Sequence, residues 1–246
     1  MDARGVRRSR GAEEEESYFI SMADMMVGLL FVFIILLLYF ALQFQQKSRA
    51  LSDAGEVRKH ILQDLAKRIA RERPDLDVKI DTRTGVLRLP AAVLFAKGAY
   101  QLSPAGRDAV GVVAHAMKDV LPCYTWPQRT TGCSYRSESV IDAIFVEGHT
   151  DADALTGSGP VSDNMDLSAL RATNTFRAVA VAEPLLNRLH NRDNRPILSV
   201  SGYGPDRPVT TATDEVAKSL NRRIDLRFLM ETPRADALAT MLTEAK

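Results

Sequence analysis

Between Tyr18 and Leu42 the chain carries a single charge, on Asp24, and Met25 to Leu42 is an almost unbroken apolar run. A helix needs about 20 apolar residues to cross the hydrocarbon of a bilayer, so residues 18–42 are predicted to form a transmembrane helix. The apolar core of a secretory signal is shorter, about 7 to 15 residues, and precedes a small-residue cleavage site. Here Gln43-Phe44-Gln45-Gln46 follows instead, so the span is expected to persist as an anchor. Beyond it, Leu51, Val57, Ile61, Leu62, Leu65 and Ile69 recur at helical spacing among charged residues, which predicts a second helical stretch. Pro74 closes that stretch. Residues 43–76 are thus expected to be a helical linker: a stalk, a segment lying on the membrane, or a solvated connector.

From Asp77 the period shortens. Val78 to Ile80 and Val86 to Leu89 flank Thr82-Arg83-Thr84-Gly85, a turn signal between two short strands. Ser103-Pro104 marks a helix start, with serine as N-cap and proline in the first turn. Val110, Val113, Ala114, Met117 and Leu121 supply that helix with an apolar face. A strand over 140–146, a helix over 167–190 and strands over 197–201 and 224–229 complete the pattern. The order predicts an α+β domain with helices layered on a sheet. The expected organisation is a tail at 1–17, the span at 18–42, the linker at 43–76, the domain at 77–232, and a tail at 233–246 with a short helix near Thr232.

Composition adds few restrictions. The chain has 246 residues and a formal net charge of +1, which gives no footing for nucleic-acid binding. Mean hydropathy is slightly negative although 46% of residues are hydrophobic, as one apolar segment joined to a water-soluble domain would give. Basic residues do not orient the span. Arg4, Arg7, Arg8 and Arg10 on one flank balance Lys47, Arg49, Arg58 and Lys59 on the other. Cysteines do bear on orientation. Cys123 and Cys133 lie ten positions apart in a segment rich in turn-forming residues, a spacing that suits a disulfide in an oxidising compartment. The alternatives are two free thiols or part of a metal site.

Three segments carry candidate chemistry: Glu147-Gly148-His149-Thr150-Asp151 at a strand end, Asn164 to Ala172 at a helix start, and Asn221-Arg222-Arg223 entering the last strand. Asp151 in a loop and Arg171 on the following helix can together hold a zwitterion. The carboxylate takes an ammonium and the guanidinium takes a carboxylate with two parallel bonds. The plain alternative is a surface ion pair worth about 0–1 kcal/mol. His149, Asp151 and Asp153 alternate as metal ligands would, but no other histidine stands in a comparable motif, so no metal and no other cofactor is expected. No nucleophile motif or phosphate loop is present, and the chain is not expected to be an enzyme.

These segments resemble the peptidoglycan-binding domain of the OmpA-like family. Gly148-His149-Thr150-Asp151, Asn164-x-x-Leu167-Ser168-x-x-Arg171-Ala172 and Asn221-Arg222-Arg223 stand in that family's order. Phe95, Gly98, Leu102, Gly106 and Ser199 to Gly204 fit its spacing, over about residues 85–230. The resemblance implies a βαβαββ domain. In it Asp151 and Arg171 grip the diaminopimelate of the peptidoglycan stem peptide, and Asn164, Leu167, Thr150 and Arg222 line the groove. Two departures are the loop containing Gly157-Ser158-Gly159-Pro160, longer than usual, and the cysteine-bearing insertion.

An acid inside a span costs at least a few kcal/mol and ordinarily faces a bundle interior or a water path. Low dielectric disfavours the ionised carboxylate, so carrying a proton is the chemistry most open to Asp24. The bland alternative is a helix cap at the interface. One span with such an acid, a helical linker and an OmpA-like domain resemble the MotB-like B subunits of ion-driven stators. Ile20 to Phe33 is most similar to the ZorB subgroup of the Zorya antiphage defence system. The resemblance implies a homodimer inside five A-type (MotA-like) membrane subunits, a cytoplasmic N-terminus and a periplasmic C-terminal domain at the bacterial inner membrane. Gly28 and Phe31 share the Asp24 face at i+4 and i+7 and are expected to touch the partner helices. Alternatives are a motility stator, a static wall tether, and an ExbD- or TolR-like transducer, against which the Gly148–Asp151 motif argues.

Overall fold

The computed structural model describes residues 5–155 and 160–231, with side chains left aside for 5–17, 20 and 50. The expected helix near Thr232, the tail at 233–246 and most of the Gly157–Pro160 loop lie outside the described residues. The chain divides into two units, Met1–Ala50 and Leu51–Lys246. Helix α1 (Gly5–Glu72) supplies the described part of the first and opens the second.

In the first unit, every side chain from Ser21 to Leu42 is exposed, Leu29 and Met25 by about three-quarters. The helix is long and apolar enough to cross a membrane. Asp24, Gly28 and Phe31 lie on one face of it, and no side chain among the described residues pairs with Asp24.

The second unit is a five-stranded sheet with helices against it. Strands β1 (Lys79–Asp81), β2 (Val86–Pro90), β3 (Ile141–His149), β4 (Leu198–Gly202) and β5 (Arg223–Met230) stand in the order β1-β2-β5-β3-β4. Only β3 and β4 run parallel. The β1–β2 turn closes on Gly85, whose φ of +76° favours glycine. The unit's described residues also form helices α2 (Ala91–Leu94), α3 (Pro104–Val120), α4 (Asn164–Ala182) and α5 (Glu215–Asn221). The expected cap of α3 is present, with Ser103 accepting from the Gly106 N–H at 2.9 Å.

Three features differ from the sequence reading. The stretch 43–76 is no free linker along its length. Val57, Ile61, Leu62, Leu65 and Ile69 are fully buried in the same core as β2, β3, β5 and α3. An apolar stripe must be covered, and the domain itself covers this one, so the compact unit begins at Leu51 rather than 77. Leu51 itself is 57% exposed. The helix expected to reach His190 ends at Ala182, because Pro184 lacks an N–H and keeps Glu183, at φ −136° and ψ 89°, out of the helical region. A 3-10 turn, Pro184–Arg188, follows. Finally, α5 has no counterpart in the reading.

Helix α4 rests directly on the sheet. A Cβ placed on Gly148 would lie 2.0 Å from the Ser168 carbonyl oxygen, and one on Gly202 2.7 Å from Ala169 backbone. Gly148→Ala is therefore expected to push α4 off β3 and destabilise the fold by about 1–3 kcal/mol, read as a lower urea midpoint. An unchanged midpoint would mean the contact is loose.

Candidate functional site

The close seating of α4 on β3 and β4 sets up a groove beside their C-terminal ends. Strand β3 ends at His149, and the chain turns out through Thr150 to Asp151. Thr150 N–H donates to the Gly204 carbonyl at 3.0 Å, and Tyr203 N–H to the Gly148 carbonyl at 3.0 Å. Gly204 N–H donates to Ser168 Oγ of α4 at 2.9 Å. Helix α4 is capped by Asp163, which accepts from Asp166 N–H at 2.9 Å. Asn164 Nδ2 donates to the carbonyls of Asp153 (2.7 Å) and Asp151 (3.4 Å). Its amide therefore fixes the Asp151 loop to the head of α4.

All six residues expected at the site line one cavity of about 600 Å³: Asp151, Arg171, Asn164, Leu167, Thr150 and Arg222. Leu167 is buried in its wall. Thr150 is buried too, and its Oγ1 has no hydrogen-bond partner among the described residues. Arg171 sits in the second turn of α4, 4% exposed. Its Nε donates to the Ala99 carbonyl at 2.8 Å, and its guanidinium carbon lies 5.1 Å from the Phe95 ring centre. Its two terminal nitrogens have no acceptor among the described residues. Burial pulls this guanidinium down to about 10, with Arg222 adding and Asp151 opposing. It is still a cation at neutral pH, poorly compensated and facing the cavity.

The plain alternative, an ion pair between Asp151 and Arg171, is not what the groove contains. Asp151 binds Arg222, not Arg171: Arg222 Nη1 donates to Asp151 Oδ2 at 2.6 Å. Asp151 Oδ1 accepts from the Asp153 N–H at 3.3 Å. Arg222 Nη2 also donates to Glu215 at the head of α5, so Arg222 bridges two carboxylates. The sequence reading missed Glu215. Asp214, which caps α5 by accepting from Ala217 N–H at 2.9 Å, was the available signal. Phe95 was read only as fitting a spacing, and the structure makes it the ring beneath Arg171.

Behind the groove lies a buried ionic layer. Arg227 donates to both oxygens of Glu147 at 2.7 and 2.8 Å. Asp225 accepts from Arg88 Nε at 3.0 Å and Arg223 Nε at 2.9 Å. His149, 1% exposed, stands 3.8 Å from both carboxylates and stacks on Tyr203. Glu147, His149 and Asp225 come close enough to share a metal, but three guanidiniums already serve the two carboxylates, which opposes a further cation. The alternation His149, Asp151, Asp153 does not converge either, since Asp153 pairs with Lys218 at 2.7 Å.

Burial holds His149 below its ordinary value, with the Glu147 carboxylate opposing. The native state thus resists a proton that the unfolded chain takes near pH 6.5. Stability contributed by neutral His149 is expected to be whole above that pH and to fall as pH drops below it. His149→Phe should flatten the melting-temperature slope between about pH 6.5 and 5. A slope equal to wild type would assign it to other groups.

Cys123 and Cys133 form a disulfide. Directly after the loop it closes, the chain meets α1, where Tyr135 stacks on His60 and Ser134 donates to Asp64.

No family model matches the chain, and no curated protein matches it. Among solved structures the chain is similar to a MotB-like protein from Desulfovibrio vulgaris, with 22% identity over 74% of this chain and 96% of that one and a TM-score of 0.50. It is also similar to the cell wall anchor of the T6SS from Pseudomonas aeruginosa, with 17% identity over 70% and 97% and a TM-score of 0.48. The periplasmic domain of Helicobacter pylori MotB gives 18% identity over 71% and 90%, with a TM-score of 0.46. At such identities the likeness is one of fold. The first of them shares the expected α+β fold, which is preceded here by a long apolar helix.

Proposed function

We propose that this chain is the peptidoglycan-anchored B subunit of a proton-driven inner-membrane motor, of the kind that serves Zorya antiphage defence. The observation that carries the anchor is the convergence of Asp151, Arg171, Asn164, Leu167, Thr150 and Arg222 on one cavity. The cavity offers an acceptor for an ammonium and, on Arg171, donors for a carboxylate. The diaminopimelate of a stem peptide carries both groups at one centre. The domain is then periplasmic, in keeping with the disulfide, and the N-terminal tail is cytoplasmic.

Residues 18–42 are the membrane span. Asp24 takes a proton in low dielectric and releases it across the potential, each charge yielding about 2.3 kcal/mol per 100 mV. Protonation changes how the Asp24 face, with Gly28 and Phe31, meets A-type subunits, five of them around two copies of this chain. Wall anchorage holds this subunit still while the partner moves. The chain does no covalent chemistry of its own and needs no cofactor. Sedimentation of the full-length chain, in detergent, with purified sacculi containing diaminopimelate tests the anchor. The chain is expected in the pellet. A chain that stays in the supernatant would overturn the reading.

A further inference from the structure

The groove contains more charge than a zwitterion needs, and its arrangement is asymmetric. The carboxylate of Asp151 is committed twice within the chain, to Arg222 at 2.6 Å and to the Asp153 N–H at 3.3 Å. Arg171, a second guanidinium lining the same cavity, offers two terminal nitrogens with no acceptor among the described residues. The anion-accepting half of the groove is therefore ready, and the ammonium-accepting half is held by a side chain of the protein. Arg222 also has a second seat. Its other nitrogen already donates to Glu215, which is 75% exposed and lies at the rim. The remaining acid nearby, Asp153, is occupied by Lys218 at 2.7 Å and offers no alternative.

We propose that Arg222 is a latch that competes with the ligand's ammonium for Asp151 and withdraws onto Glu215 when a zwitterion enters. This rests on the wall-binding reading above and assigns Arg222 the opposite sign of effect from a contact residue. Entry of the ammonium replaces one cation on Asp151 by another, so the local charge balance is kept and the guanidinium remains paired. A ligand with a carboxylate but no amine can engage Arg171 but has nothing with which to displace the latch. Selection for the zwitterion is built into the groove in this way. Glu215 acts through Arg222 and is a positioning residue.

The test is calorimetric titration of the full-length chain in detergent with a soluble muropeptide that contains diaminopimelate. Removing the competitor in Arg222→Gln should tighten binding by up to about five-fold, the scale of a part-exposed ion pair. Glu215→Gln should weaken it by roughly two- to three-fold, since Arg222 loses its second seat. In the Arg222→Gln background the Glu215 substitution should have no further effect, because the two act as one unit. Arg222→Lys keeps a cation that cannot span both carboxylates and should lie between wild type and Arg222→Gln; thermal melts confirm that each variant is folded. Weaker or unchanged binding by folded Arg222→Gln would overturn the latch, as would a loss from Glu215→Gln that persists without Arg222. Failure of the wild-type chain to bind the muropeptide would overturn the wall-binding reading itself, and the latch with it.

Discussion

Asp24→Asn is expected to abolish ion-driven function and to leave attachment to the cell wall untouched. Asparagine is nearly the shape of aspartate and remains polar, so the helix keeps its packing and its hydrogen-bonding capacity. It cannot take up and release a proton. If Asp24 only caps a helix at the interface, asparagine serves as well, since the two residues cap about equally. If the chain is a static tether, the change is again silent. The motor reading alone makes the substitution lethal to function. Coexpression with the A-type subunit, followed by proton uptake into vesicles under a potential, measures the step directly. The expected flux is background, while sedimentation with sacculi equals wild type. Flux equal to wild type would sink the motor reading and leave the wall anchor standing. Asp24→Glu, which keeps the carboxyl on a longer stem, should retain part of the flux.

What the sequence disclosed is what is local. The apolar run to Leu42, the Ser103-Pro104 helix start and the Thr82–Gly85 turn each depend on neighbouring residues, and each has its structural counterpart. The motif segments were legible through their resemblance to a known family, and Gly148 and Ser168 prove to be where strand β3 and helix α4 meet. What depends on distant partners was not legible. The stripe from Val57 to Ile69 was visible as a stripe, but nothing in it says that the domain core covers it. Arg222 lies 71 positions from Asp151, and no spacing rule connects them. The short helix from Glu215 escaped because seven residues give too few turns for a period to emerge, although Asp214 is a sound cap. The Asp151–Arg222 contact escaped for the same reason: Asp151 and Arg171 both reach the groove, but a third side chain decides which charges meet.

Arg171→Ala is expected to cost more wall binding than any other single change in the groove. Its Nε is committed to the Ala99 carbonyl and its plane lies against Phe95, so the guanidinium is held in place with its terminal nitrogens toward the cavity. Ordering such a group when a ligand arrives costs little, and a buried cation gains much from a carboxylate. A hydrogen bond to a charged group contributes about 1.5–3 kcal/mol, so binding to sacculi should fall by roughly 10- to 100-fold. Asp151→Ala should lose less, because in the wild type the ligand must first take that carboxylate from Arg222. Lysine at 171 should recover only part of the loss, since one ammonium cannot serve the Ala99 carbonyl and grip a carboxylate with two parallel bonds. Salt separates this from adsorption to the anionic wall. Contacts made in a buried site are screened weakly, so wild-type binding should persist at ionic strengths that strip the Arg171→Ala chain from the pellet. Equal sedimentation of the two at every salt concentration would remove Arg171 from the site, and with it the argument that the groove recognises a zwitterion.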